Sequence, residues 1–134
     1  MALVEELATF VAAASTRFTL GTNLFLNHQP DEPDTASSLI ELGGTLPEHT
    51  FGNDLPSFEN ARVAFTHRST SSTKARGDSK AAWVAVQAIV NETLSGVSWL
   101  RASAVQSPFL LGRDTQDRVV YRFDVDCMRR TTST

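Results

Sequence analysis

The alternation of apolar and charged residues is clearest between Arg118 and Met128. Apolar or aromatic side chains occupy every second position there, and mostly charged side chains occupy the positions between them. The apolar positions are Val119, Tyr121, Phe123, Val125 and Cys127. A period of two over this length predicts a half-buried antiparallel strand, with one face in water and the other covered by helices. We expect the remaining elements to pack on this strand.

A helical period identifies an amphipathic helix at residues 3–16. Leu3 and Leu7 fall on its apolar face, which we expect to pack on the sheet. Glu5 and Glu6 lie in its first turns, where negative charge complements the positive end of the helix dipole.

A second helix is predicted to begin at a cap on Asp78 or Ser79 and to run to about Ser95, where Gly96 ends it. Its apolar stripe consists of Trp83, Val86, Val90 and Leu94. The Ser/Thr-rich segment at 69–73 precedes this helix and is predicted to be a flexible polar loop.

Short apolar runs predict four further strands. They are residues 24–26, 38–42, 58–68 and 97–106. Two prolines and three acidic residues predict a loop at 28–34. The long connection at 45–57 is predicted to be either mobile or a binding loop, and residues 107–117 connect the fourth strand to the last one.

This succession of elements predicts an α+β fold in one domain, residues 1–130. Two helices are expected to pack on one face of a mainly antiparallel, roughly five-stranded sheet, in the order α-β-β-β-α-β-β. Residues 129–134 have the composition of a solvated tail, and residues 131–134 are placed outside the domain.

Charge is distributed unevenly along the chain, whose net charge is -3. Residues 1–60 carry nine acidic groups and one basic group, whereas residues 61–134 carry eleven basic and six acidic groups. One interpretation is a protomer with an acidic and a basic flank, suited to head-to-tail contacts between copies. The alternative is that the two halves interleave in the fold, which would give the asymmetry no spatial meaning.

The sequence predicts no membrane-spanning helix, no secretory signal and no intrachain disulfide. No apolar run approaches the roughly 18–20 residues that a membrane-spanning helix needs, and the N-terminus lacks the pattern of a secretory signal. Cys127 is the single cysteine, so an intrachain disulfide is excluded and a reducing compartment is expected.

Residues that could support catalysis or metal binding are scattered. His28, His49 and His67 lie in separate segments without metal-ligand spacing. Gly43-Gly44 lacks the following lysine of a phosphate loop, and Cys127 has no nearby histidine to activate it. We therefore predict no catalytic, cofactor-binding or metal-binding residues. The alternative of a small ligand-binding or enzymatic domain would require a pocket with converging polar groups.

Several segments resemble the phage tail terminator family, whose members are also described as minor capsid or head–tail joining proteins. The run Ser107–Asp114, SPFLLGRD, precedes a short turn and an alternating strand that ends in Arg129-Arg130. Residues 39–44, LIELGG, follow a short strand and a Pro-Asp-Glu-Pro-Asp loop and are similar to the early hairpin of that family. An Ala-rich helix ending in Leu94-Ser95-Gly96 follows the same order. The resemblance spans most of residues 1–130, and it departs from the family at 45–57 and 69–73.

The resemblance implies a structural virion protein that forms a homohexameric ring. Such a ring caps the tail tube, stops its polymerisation and provides the docking surface for head-completion proteins. The implied location is the head–tail junction, after assembly in the host cytoplasm. The resemblance implies no catalysis, cofactor or membrane, and genomic DNA only passes through the bore. The nearest alternative is another ring of the head–tail connector or neck.

Five charged residues are candidates for an assembly interface. Arg68, Lys74 and Arg76 lie in or beside a segment, 69–76, that we expect to become ordered when a partner binds, as we also expect for 45–57. Arg113 and Asp114 lie in the last hairpin. The alternative for each of the five is a charge that simply faces solvent.

Overall fold

The computed structural model describes residues 3–43 and 58–130, which form two helices and one seven-stranded sheet. The elements are α1 (Leu3–Ala14), β1 (Leu24–Leu26), β2 (Ala36–Leu42), β3 (Phe58–Ser69), α2 (Ser72–Val86), β4 (Val90–Leu94), β5 (Val97–Ala104), β6 (Phe109–Arg113) and β7 (Val119–Arg130). The predicted α+β class is confirmed, whereas the predicted count of about five strands was too low. Neither α1 nor α2 is long and apolar enough to cross a membrane. The predicted connection at 45–57 and the tail at 131–134 lie outside the described residues.

The strands are arranged in the order β1-β2-β3-β7-β5-β4, and β6 also pairs with β7. All pairs are antiparallel except β1 with β2. The central pair is β3 and β7, whose registers match from Phe58 opposite Arg130 to Ser69 opposite Val119. At its middle, Phe65 lies opposite Phe123 and their rings stack with centroids 4.9 Å apart.

The two faces of this central pair differ in polarity. Val63 and Phe65 on β3 are buried with Phe123 and Val125 on β7 in the core beneath the helices. Cys127 is also buried on this face, as the alternation predicted. Each large apolar side chain buried in this way contributes about 1.5–3 kcal/mol to stability, so this layer holds the helices on the sheet. The opposite face of the two strands carries mainly charged and polar side chains.

Helix α2 begins earlier than predicted. Ser71 is its N-cap, and the Ser71 hydroxyl accepts a hydrogen bond from the backbone N–H of Lys74 at 3.3 Å. The predicted flexible loop at 69–73 was therefore wrong, because this Ser/Thr-rich segment supplies the capping hydroxyl. Asp78 and Ser79, the predicted caps, are buried in the interior of the helix.

The predicted end of this helix was also wrong. The helix ends at Val86, and residues 90–94 form β4 instead of its last turns. Ser95 and Gly96 have φ values of 51° and 82°, and together they make a two-residue turn that joins β4 to β5. Positive φ at both central positions matches the twist of a tight hairpin, which explains a glycine at the position where a helix stop was predicted.

Strands β1 and β2 are parallel, so the hairpin expected here from the resemblance is wrong. Residues 27–35, which we call the crossover loop, return from the end of β1 to the start of β2. The Gln29 side chain donates to the backbone carbonyl of Ala36 at 3.1 Å. The guanidinium of Arg68 donates to the carbonyls of Pro33 and Asp34. Because Arg68 lies on the charged face of β3, this loop covers the face opposite the helices.

The predicted connection at 107–117 contains the additional strand β6. Strands β5 and β6 run in the same direction along one side of β7. Between them, the backbone N–H of Val105 donates to the carbonyl of Asp124 at 2.8 Å. Strands β4 and β6 were not predicted as strands, and they raise the number of strands from about five to seven.

Strand β7 extends two residues into the predicted tail, to Arg130, and Arg129 is buried. The carboxylate of Glu6 on α1 has no exposed surface; it accepts from Trp99 Nε1 at 2.7 Å and from Arg129 Nη1 at 2.6 Å. Arg129 also donates to the carboxylate of Glu59. This network ties α1 to the two strands β5 and β7.

Replacing Arg129 with leucine should lower the free energy of unfolding by about 3–5 kcal/mol, because Glu6 would be left as a buried charge without its cationic partner. Urea unfolding measures the change, and Arg130→Leu is the matched control on an exposed position of the same strand. The double variant Glu6→Leu/Arg129→Leu should recover part of the loss. Equal stability of the Arg129→Leu and Arg130→Leu variants would contradict this account.

Candidate functional site

A cluster of charges lies where the crossover loop meets the start of β7. Arg118 is at its centre and is buried. Its Nε donates to Asp114 Oδ2 at 2.7 Å, and its Nη1 donates to Asp34 Oδ1 at 3.3 Å and to the carbonyl of Asp31. One guanidinium therefore binds both the loop and the turn that follows β6.

Arg68 holds the same loop from β3. It is buried and donates to the carbonyl of Pro33 at 2.6 Å and to that of Asp34 at 3.3 Å. Burial lowers the pKa of Arg68 below its ordinary value, and the nearby positive charge of Arg118 lowers it further. We call Arg68 and Arg118 together the arginine clamp.

Asp114 completes this cluster from the turn between β6 and β7. Its Oδ1 accepts the backbone N–H groups of Arg118 at 2.9 Å and of Gln116 at 3.0 Å. The hydrogen bond from the Arg118 backbone is the main reason that the pKa of Asp114 lies below its ordinary value. The structure thus brings two predicted interface residues, Arg68 and Asp114, into one cluster that fixes the crossover loop. Their role at an interface remains a prediction.

The other face of the molecule carries exposed basic residues on α2. Arg76, Lys80 and Val84 are spaced four residues apart and form an exposed row that we call the α2 stripe. Lys74 lies beside this stripe, and its Nζ is 3.2 Å from Asp78 Oδ1. Arg17, which follows α1, places its Nη1 3.0 Å from the same oxygen.

A shallow groove of about 480 Å³ separates the C-terminal end of α1 from the α2 stripe. It is lined by Ala14, Ser15, Arg17, Gly77, Lys80, Ala81, Val84 and Ala85. Gly77 allows the close approach of Arg17, because a Cβ at that position would lie 3.2 Å from Arg17 Nη1. The groove therefore has a cationic rim and a floor of small apolar side chains.

Strand β6 is an exposed apolar edge that the sequence did not reveal as a strand. Phe109, Leu110 and Leu111 are 38%, 58% and 54% exposed. The strand pairs with β7 on one side, and no described strand pairs with its other side. Arg113, the fourth predicted interface residue, ends this strand and donates to the carbonyl of Asp117 at 3.1 Å. We call residues 109–111 the β6 edge.

A serine–histidine pair occurs in the core. The hydroxyl of Ser37 lies 2.7 Å from His67 Nδ1, and both residues are buried. The His67 ring packs near the rings of Phe18, Phe65 and Phe123, and its Nε2 has no hydrogen-bond partner. Burial lowers the pKa of His67 to about 4, so the ring is neutral at physiological pH. A substrate could reach this pair only if the helix layer moved away from the sheet. We therefore assign the serine–histidine pair a role in packing the core.

The remaining candidate chemistry is sparse in the part of the chain that the structure describes. No group of three or more His, Cys, Asp or Glu residues there could hold a metal ion. Burial raises the pKa of the Cys127 thiol to about 12, which keeps it protonated and unreactive. His28 is exposed in the crossover loop, and His49 lies outside the described residues.

Comparisons with known proteins do not assign a family. No protein-family model matches the chain, and no curated protein sequence matches it. The described residues offer three candidate surfaces, which are the acidic crossover loop with its arginine clamp, the α2 stripe with its groove, and the β6 edge.

Acidification should destabilise the protein through His67. Its pKa is about 6.5 when unfolded and about 4 when folded, so the unfolded chain binds more protons in that interval. The free energy of unfolding should consequently fall by about 3 kcal/mol, from this group alone, as the pH drops from about 6.5 to about 4.

Urea unfolding at a series of pH values would measure this dependence. The His67→Gln variant should show a flatter decline than the unmodified chain, whereas the exposed control His28→Gln should not. If His67→Gln and the unmodified chain lose stability in parallel, the buried neutral histidine is not the cause.

Replacing Arg118 with alanine should release the crossover loop. The variant loses the hydrogen bonds to Asp31, Asp34 and Asp114 that the guanidinium makes, so backbone amides in residues 27–35 should exchange at least about tenfold faster with deuterium. Arg101→Ala, on an exposed position of β5, should leave exchange in the loop unchanged. Unchanged exchange in both variants would show that Arg118 does not hold the loop.

Proposed function

We propose that the chain is a structural virion protein, a tail terminator that forms a ring on the phage tail tube. The ring stops polymerisation of the tube and presents the surface on which head-completion proteins dock. The proposal is supported by the resemblance of the run 107–114 and of the alternating strand that follows it, and by three exposed surfaces suited to protein contacts. The early hairpin and the helix end at 94–96, which the resemblance also implied, do not support it. It requires no catalytic group and no cofactor.

The observation that carries the proposal is the β6 edge. Three consecutive large apolar side chains are each more than a third exposed on a strand with an open side. Soluble monomers avoid such edges, because an unpaired apolar strand recruits other chains. An edge of this kind is suited to a protein whose task is assembly.

The distribution of charge also supports a ring. The basic α2 stripe lies on the helix side of the sheet, and the acidic crossover loop lies on the opposite side. A closed ring needs two different surfaces that meet on neighbouring protomers, and opposite charges on opposite faces meet this requirement. The expected copy number is six, as the resemblance implies.

The proposed partners are other copies of the chain, the tail tube protein and a head-completion protein. The proposed location is the head–tail junction of the virion, reached after assembly in the host cytoplasm, with genomic DNA passing through the bore. Another ring of the neck would share these surfaces and would differ in where it lies in the virion. Labelling the chain in intact particles and imaging them would distinguish the two.

Purified protein should form a discrete ring and should cap tail tubes. Light scattering after size-exclusion chromatography would measure the copy number, and negative-stain imaging would show the ring. Added during polymerisation of tube protein, the chain should arrest growth. A species that stays monomeric with and without tube protein, and leaves tube length unchanged, would overturn the proposal.

Replacing Leu110 and Leu111 together with serine should abolish ring formation while leaving the melting temperature nearly unchanged, since both side chains are exposed. The control is Val90→Ser, which removes an apolar side chain that is 60% exposed on the other strand at this side of the sheet. Light scattering measures the copy number of each variant. Rings of normal size from the Leu110→Ser/Leu111→Ser variant would remove the β6 edge from the assembly surface.

A further inference from the structure

We propose that the acidic crossover loop of one protomer docks on the α2 stripe and its groove in the next protomer. The inference rests on the proposed function, because it specifies which two surfaces close the ring. It concerns contacts between copies of this chain only, and capping of the tail tube is a separate property.

The receiving surface has an excess of positive charge. Asp78 is the acidic residue beneath it, and its Oδ1 is already bound by Arg17 and Lys74. Arg76 and Lys80 are exposed and make no ion pair with any residue that the structure describes. Val84, which is 58% exposed, and the alanines of the groove supply apolar area between these charges.

The incoming surface is acidic and already ordered. Asp31 and Glu32 are exposed at the tip of the crossover loop, and the Asp31 side chain is 87% exposed. The arginine clamp binds mainly backbone carbonyls of this loop, and Arg118 Nη2 also lies 3.9 Å from Asp31 Oδ1. Both carboxylates nevertheless remain exposed to a partner. Because the loop is fixed before contact, docking costs little additional conformational entropy.

The loop also lies near the C-terminal end of β6. Arg118 follows the turn after β6 and binds the carbonyl of Asp31, so the acidic tip is adjacent to the end of that strand. The protomer thus exposes acidic side chains with apolar side chains next to them. The α2 groove offers the complement, basic residues around an apolar floor.

The positions of these surfaces favour a ring over a two-fold dimer. The α2 stripe lies on the helix face of the sheet, whereas the loop lies on the opposite face. A two-fold contact that paired each loop with the partner's stripe would require both surfaces to lie on one patch of the protomer, which their opposite faces do not allow. When the loop of one protomer docks on the stripe of the next, the protomer at each end of the chain keeps one unoccupied surface. Further protomers therefore continue to add until the ring closes.

Charge reversal of the full-length chain tests the contact. The basic side is reversed in Arg76→Glu/Lys80→Glu, and the acidic side in Asp31→Lys/Glu32→Lys. Each variant alone should need at least about tenfold more protein for half-maximal ring formation by light scattering. Ring formation by the unmodified chain should weaken as salt is raised.

Mixing the two variants provides the decisive measurement. In an alternating ring, the reversed loop of one variant meets the reversed stripe of the other, and the unmodified surfaces meet each other. An equimolar mixture should therefore regain rings with an even copy number at a protein concentration where neither variant assembles alone. A single chain carrying all four substitutions should also assemble.

Matched controls reverse exposed charges elsewhere, with Arg101→Glu for the basic side and Glu92→Lys for the acidic side. Melting temperatures verify folding, and Asp31→Asn/Glu32→Gln replaces the loop variant if lysines there unfold it. Normal rings from both reversal variants, or a mixture that stays unassembled, would overturn the inference while leaving a ring of other contacts possible. An unmodified chain that neither forms rings nor caps tubes would overturn the inference together with the proposed function.

Discussion

The pairing of β3 with β7 is the constraint on which the other features depend. The two strands are in register over their full lengths. Strand β7 alternates between apolar and mainly charged residues, and β3 follows the same alternation less regularly. Their pairing therefore creates one apolar face and one charged face at the same time. The apolar face receives α1 and α2, and the charged face receives the crossover loop. A slip of one residue in this register would reverse both faces and would leave neither the helices nor the arginine clamp in place.

The elements that could be predicted from the sequence are those whose periodicity is long and regular. The last strand and α1 were located to within a few residues, since each repeats its pattern over several turns or pleats. Helix α2 was misplaced because Trp83, Val86, Val90 and Leu94 follow a helical spacing by coincidence, although only the first two are helical. The short strand β6 has too few residues to show a period. Tertiary pairing with β7 decides its structure.

The candidate surfaces could be predicted only in part, because sequence does not distinguish a buried arginine from an exposed one. Arg68 and Arg76 looked alike in the chain, but the first clamps a loop and the second faces solvent. Glu6 appeared to be a helix-dipole residue, whereas its main partner is Arg129, 123 positions away. Such long-range ion pairs depend on how the strands are ordered in the sheet. The sequence showed the difference in charge between the two halves of the chain. It did not show that the acidic loop and the basic stripe lie on opposite faces of the sheet.

The central position of the last strand has a consequence for biosynthesis. Strand β3 cannot be covered on its β7 side until residue 130 has left the ribosome, and the crossover loop waits for Arg118 in the same way. Nascent chains therefore expose an unfinished sheet, and their native contacts have long sequence separations, which slows folding.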